Sequence, residues 1–144
     1  MTGDLAQRVA ERLISLEGTA AAWNLMLEEV REGYARVSMK LRADMLNGHR
    51  TAHGGMIFAL ADSAFAYACN SRNELTVAQQ ASILFLAPAH EGDIVVAEAW
   101  EDARAGRVGA YSVTVTIQSG GPIAQFQDLS RTTGGTVLSK QEQE

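Results

Sequence analysis

The sequence predicts an α+β domain in which one long helix is wrapped by a curved antiparallel sheet. Three observations lead there. Residues 54–70, GGMIFALADSAFAYACN, are apolar on every side apart from Asp62 and Ser63, the pattern of a helix buried inside a core. Four β-like runs follow, separated by turn-forming residues. An amphipathic helix and two shorter strand patterns come before. The 144 residues suit a single domain with one core.

The first element is a helix over residues 4–16, where Leu5, Val9, Leu13 and Leu16 recur at three- and four-residue spacing. Residues 22–29 form a weak strand candidate. Residues 34–41 alternate more clearly, with Tyr34, Arg36, Ser38 and Lys40 opposite Ala35, Val37, Met39 and Leu41. A polar loop over residues 44–53 leads into the central helix, 54–70. The later strands cover residues 76–86, 93–101, 108–118 and 123–131, punctuated by Gly92, by Ala105-Gly106-Arg107 and by Ser119-Gly120-Gly121-Pro122. They read as an antiparallel meander. The polar tail, 138–144, is expected to be disordered.

Hydrophobic residues make up 47 % and charged residues 20 % of the chain, an ordinary globular balance. A net charge of −5 argues against a nucleic-acid surface, yet a few local arginines can still hold a phosphate-bearing ligand. The N-terminus lacks the basic and apolar regions of a signal peptide, and Asp62 interrupts the longest apolar run. No membrane segment and a cytoplasmic location are expected. Cys69 is the one cysteine, which excludes an intrachain disulfide and suggests a small buried hydrophobe. His49, His53 and His90 form no ligand-like cluster, so no metal is expected.

Asp62 is the anomaly of the central helix. A buried carboxylate without partners costs several kcal/mol, so it must be hydrogen-bonded, neutralised or open to a cavity. A structural role beside Ser63 is the plain alternative. The preceding loop, Asn47-Gly48-His49-Arg50-Thr51-Ala52-His53-Gly54-Gly55, points to chemistry instead. Glycines at a helix start leave backbone N–H groups open toward a developing oxyanion, and Asn47 and His53 add polar groups there. At ~1.5 Å rise per residue, Asp62 lies roughly 13 Å along the axis from His53. One reacting carbon cannot meet both within a single chain. Two copies with antiparallel helices would bring Asp62 of one chain to Gly54 of the other, so shared sites in a homodimer are expected.

At these residues the chain resembles the hotdog-fold thioesterases, and closely the phenylacetate-pathway (PaaI-type) acyl-CoA thioesterases. The stretch from Met45-Leu46-Asn47-Gly48 through His53-Gly54-Gly55 to Leu60-Ala61-Asp62-Ser63 and Asn70 carries the resemblance, with looser similarity at Ile83-Leu84-Phe85-Leu86-Ala87-Pro88 and Gly92-Asp93. It implies a helix wrapped by a curved sheet, dimers joined edge to edge and homotetramers of two dimers. It implies an acyl-CoA substrate, with phenylacetyl or hydroxylated phenylacetyl groups as the expected aromatic acyl groups, and no cofactor beyond the coenzyme A of the substrate. Asp62 would serve as general base or as nucleophile, the Gly54 N–H as oxyanion donor from the partner chain, and Asn47 and His53 would hold the carbonyl or the water. Gly55, Ser63, Phe58, Phe65, Leu86 and Pro88 are the expected substrate contacts. Ala87 stands where PaaI-like members often carry an arginine, so Arg104, Arg107 or Arg131 is expected to hold the CoA phosphates.

Two other functions fit the same fold. An enoyl-CoA hydratase would need an Asp and a His acting together on one water, in a motif unlike this one. A non-catalytic acyl-CoA-binding protein of sensor type would carry a DNA-binding helical segment, for which the short acidic chain has no room.

Overall fold

A computed structural model describes the backbone of residues 2–144 and the side chains from Leu5 onward; the leader reading at Met1 lies outside the described residues. Helix α1 (Thr2–Leu16) leads into a short helix α2 (Gly18–Ala22) and strands β1 (Met26–Arg31) and β2 (Tyr34–Lys40). A 3-10 turn at Ala43–Met45 and a polar loop precede the central helix α3 (Gly54–Cys69). Strands β3 (Thr76–Phe85), β4 (Ile94–Ala105), β5 (Val108–Ile117) and β6 (Pro122–Thr132) follow, and α4 (Lys140–Gln143) ends the chain.

All six strands form one antiparallel sheet in the order β1-β2-β4-β5-β6-β3. Helix α3 lies across its concave face. Ile57, Leu60, Ala61, Ala64 and Phe65 of the helix pack with Val37, Met39, Val95, Ala97, Val113, Val115 and Phe126 of the sheet in one core. The many alanines of α3 let the strands approach it closely, and that approach bends the sheet around the helix.

Four expectations need correction. The first concerns the weak strand over residues 22–29. The Ala20-Ala21-Ala22 run completes α2, and Asn24, with φ of 52°, turns the chain before β1 begins at Met26. Secondly, the four later strands do not form a simple meander: β3 crosses to the far edge and pairs with β6. Asn70, the residue capping the end of α3, determines this route. Its Oδ1 accepts the Thr76 N–H at 2.9 Å while its Nδ2 donates to the Thr76 carbonyl at 3.0 Å, so β3 starts beside the helix end.

The third correction concerns α1. Its buried stripe is Ala6, Val9 and Ala10, whereas Leu16 is 73 % exposed past the end of the core. The fourth concerns the tail. Leu138 is buried, Asn73 Oδ1 accepts the N–H groups of Val137 and Leu138 at 3.0 and 2.7 Å, and Ser139 caps α4 in a reciprocal pair with Glu142. Glu142 also pairs with Arg12 of α1 at 2.6 Å. Local capping and one apolar anchor order a segment whose composition alone reads as coil.

Helix α3 is not covered on every side. Met56, Ala59, Asp62, Ser63 and Ala66 form a half-open stripe at helical spacing, while Ile57, Leu60, Ala61, Ala64 and Ala68 are buried. Asp62 stands on the border between the two. No helix among the described residues is long and apolar enough to cross a membrane.

Candidate active site

The loop before α3 is held by its own side chains. Leu46 and Ala52 form an isolated antiparallel bridge, and the Asn47 N–H donates to the Thr51 carbonyl at 2.8 Å. Asn47 Oδ1 accepts from the backbone N–H groups of His49 and Thr51 at 2.9 and 3.2 Å, and its Nδ2 donates to Thr51 Oγ1 at 3.0 Å. These bonds fold the loop as an Asx-type turn, with Arg50 in the left-handed region at φ 63°. The Ala52 N–H donates to the Ala89 carbonyl at 2.8 Å, and the His53 N–H to that of Met45 at 2.9 Å. These bonds pin the loop to the 3-10 turn and to the segment that follows β3.

His53 is the N-cap of α3. Its Nδ1 accepts the Gly55 N–H at 2.9 Å, which leaves Nε2 as the ring's N–H donor. Of the two glycine donors, Gly55 is therefore engaged by the cap. The Gly54 N–H has no acceptor among the described residues and remains the open donor at the positive end of the helix.

Gly54 opens into a cleft of about 390 Å³ lined by Asn47, Thr51, Gly54, Phe85, Leu86 and Pro88, with Ile57 and Ile123 at its apolar side. The Phe85 ring lies directly over Gly54, such that a Cβ there would sit 3.0 Å from the ring's Cζ. Only glycine allows that approach without displacing the ring. Thus Asn47, Gly54, Leu86 and Pro88, expected as site residues, share one cleft. Thr51 and Phe85 join them without having been anticipated, although an asparagine four residues before a threonine at a helix entry is a readable turn signal.

Asp62 lies two turns further along α3. It is half-buried, makes no hydrogen bond among the described residues, and has its carboxyl pushed above the usual range by burial. Phe58, one turn before it, packs edge-on against Phe126 at 5.0 Å between centroids. Phe65, one turn after, packs edge-on against Tyr111 at 5.4 Å. Asp62 therefore faces the part of the sheet where β5 and β6 adjoin. On the inward face of that part lies Asp128, close enough to feel the charge of Asp62; its register partners are Tyr111 on β5 and Ala81 on β3.

Asp128 was not anticipated. It is 5 % exposed and neither carboxyl oxygen has a partner. Burial, and then the charge of Asp62, push it up to about 7. The signal was present in the parity of its strand: Phe126, Asp128 and Ser130 alternate inward while Gln125 and Gln127 point out.

The other expected residues lie elsewhere. The Ser63 hydroxyl donates to the Ala59 carbonyl at 2.9 Å, on the helix side shared with Tyr67 and Glu17 and outside the cleft. Phe58 is half-buried and Phe65 fully buried, both in ring contacts of the core. Arg104, Arg107 and Arg131 gather at the sheet end marked by the Arg104–Val108 hairpin and the Val108–Arg131 register pair. That is the Thr76 end of β3, opposite the Phe85 end where the cleft opens. Arg104 pairs with Glu74 at 3.1 Å, while Arg107 and Arg131 have no ion pair among the described residues. No cluster of three or more potential metal ligands occurs among them either.

This arrangement has relatives. The family model described as the thioesterase superfamily matches residues 49–124, from the loop through α3 to β6. The chain is 38 % identical over 131 residues to the acyl-coenzyme A thioesterase PaaI of Escherichia coli, covering 91 % of this chain and 94 % of that one. The solved structure of the E. coli PaaI protein from the phenylacetic acid degradation operon superposes with a TM-score of 0.92 at 36 % identity, over 94 % of this chain and 99 % of that one. A hypothetical thioesterase of Streptococcus pneumoniae, solved with coenzyme A, matches at 25 % identity with a TM-score of 0.75, over 78 % of this chain and 91 % of that one.

Proposed function

The chain belongs to the thioesterase superfamily and is a thioester hydrolase, and from that premise we propose that it cleaves acyl-CoA to free acid and CoA, with phenylacetyl-type aromatic acids as its acyl groups. The observation that carries this reading is the unengaged N–H of Gly54, which stands at the start of α3 and lines a cleft with an apolar wall. Such a donor polarises a thioester carbonyl and stabilises the oxyanion formed when water or a carboxylate attacks it. The apolar wall of Ile57, Phe85, Leu86 and Ile123 suits a flat hydrophobic acyl group. The name and the operon of the E. coli relatives point the same way.

Asp62 supplies the other half, as general base toward water or as direct nucleophile. A carboxyl raised by burial is a better base near neutral pH than an exposed one. The eight-residue separation of Gly54 and Asp62 corresponds to ~12 Å along the helix, so the two halves act across a homodimer. Strand β3 supports this: it is an unpaired edge carrying Val77, Leu84 and Phe85 at 48, 68 and 57 % exposure. Antiparallel pairing of two β3 edges near Ala81, the neighbour of Asp128, turns the partner's helix end-for-end. The same pairing carries the partner's arginine-bearing sheet end toward the cleft, where Arg107 and Arg131 meet the CoA phosphates. Two such dimers associate into a tetramer.

The test is CoA release from phenylacetyl-CoA, followed with a thiol reagent. Wild type should turn over, and Asp62→Asn should lose ~10²–10⁴-fold in kcat while keeping its fold. Equal rates for the two proteins would sink the assignment of Asp62.

A further inference from the structure

Asp128 has no place in the chemistry described so far, yet it is the most unusual polar group in the molecule. Its strand presents it to the same space as Asp62, between the Phe58–Phe126 and Phe65–Tyr111 ring contacts. Both its oxygens are buried without a hydrogen bond. A buried carboxylate left that way is costly, and a second one nearby doubles the problem. Among the described residues neither carboxyl has an ion pair, and the further acid that feels Asp62 is Glu17, which accepts the Tyr67 hydroxyl at 3.0 Å. Cys69 on α3 is a buried thiol held in its neutral form, and Tyr111 on β5 donates its hydroxyl to Glu101 at 2.9 Å. Gln80 and Ser82 flank Ala81 on β3 and are uncharged. Arg72 is committed to Glu101 at 2.6 Å and Glu32 at 3.1 Å.

We propose that Asp128 is a positioning residue for Asp62: the two carboxyl groups carry one proton as a pair, with Asp128 as the neutral acid and Asp62 as the anion. Two carboxyl groups brought together out of water titrate as a pair, and one retains its proton well beyond the ordinary range. The less exposed member keeps it, which is Asp128. This fixes the one negative charge of the pair on the helix side, at the border of the half-open stripe where a substrate arrives. The proton balance of hydrolysis then closes. Asp62 takes a proton from the attacking water, giving a neutral pair with two protons, and one proton passes to the departing thiolate. The pair returns to one proton and one charge.

The inference rests on Asp62 being the catalytic carboxylate, so the experiment separates the two. Infrared titration of the protein should show a protonated carboxylic-acid carbonyl band persisting to about pH 7, absent from Asp128→Asn and shifted to lower pH in Asp62→Asn. In parallel, kcat/KM of the wild type should bend with pH near the same midpoint, and the bend should be missing in the isosteric Asp128→Asn. Thermal unfolding gives the sign independently. An aspartate ionises near ~3.9 when unfolded and near 7 here, so the protonated group's contribution to stability is full below pH ~4 and lost as pH rises through 7. Asp128→Asn should remove that decline and melt progressively higher than wild type as pH rises. A band that titrates identically in Asp62→Asn, or a pH profile unaltered by Asp128→Asn, overturns the pairing. Full activity of Asp62→Asn would instead overturn the underlying assignment while leaving the infrared readout intact.

Discussion

The two ends of the candidate site are built in opposite ways. At the start of α3 nearly every polar group is satisfied by its own chain: Asn47 binds the loop, His53 caps Gly55, and the loop strands are tied to Met45 and Ala89. The Gly54 N–H, at the helix start itself, has no acceptor among the described residues. Two turns on, Asp62 has no hydrogen bond among the described residues and the neighbouring Asp128 has none for either oxygen. In the proposed mechanism the first region is preorganised for an anion that develops on a ligand, and its cost is met by local bonds. The second concentrates like charge in a poorly solvated space and relies on protonation to be tolerated. An oxyanion donor must be rigid, whereas a base must exchange protons, and the two requirements lead to these different environments.

The largest test of that contrast is at Gly54. It is the first helical residue, and His53 before it has φ −62° and ψ 133°, an extended conformation that accepts a following proline. Gly54→Pro therefore deletes the open N–H with the helix start intact, and kcat should fall ~10²–10³-fold. Gly54→Ala is the control for bulk. It retains the N–H and asks only that the end of the exposed Phe85 ring give way, so its loss should stay below about tenfold. If both variants fall equally, crowding by Phe85 and not the lost donor explains the effect.

A second test asks whether the two regions belong to different chains. Co-expressed Asp62→Asn and Gly54→Pro subunits form about half heterodimers if they mix at random, each with one intact site and one doubly defective site. Activity should recover to about one quarter of wild type. Sites built within one chain would show no recovery.

The same contrast explains what could be read in the sequence. Asp62 was legible because a single charge interrupts an apolar helix, and Gly54 because glycines and an asparagine cluster at a helix start. Asp128 was not, because a strand tolerates polar residues on alternate positions and its inward parity matters only once Phe126 is known to face the core. The crossing of β3 to the sheet edge was hidden as well. It depends on Asn70 holding Thr76, a tertiary bond with no periodic signature. The docked tail depends likewise on Asn73, which is distant from it in sequence.

The smallest expected effect concerns the arginines, and it tests how far the partner's contribution extends. Arg104 already faces Glu74, so a phosphate must compete with an existing exposed ion pair and gains little. Arg107 and Arg131 have no such competitor among the described residues. Arg107→Ala and Arg131→Ala should each raise KM for an acyl-CoA about fivefold, roughly 1 kcal/mol, with kcat unchanged, and Arg104→Ala should raise it less. The decisive control is a truncated thioester that retains the acyl group and the pantetheine end but lacks the nucleotide phosphates. Its KM should be the same in all four proteins, because a solvated arginine at the sheet end has no other part of the substrate to meet. An equal rise with the truncated thioester would mean that these arginines support the dimer edge, and that the phosphates are held elsewhere.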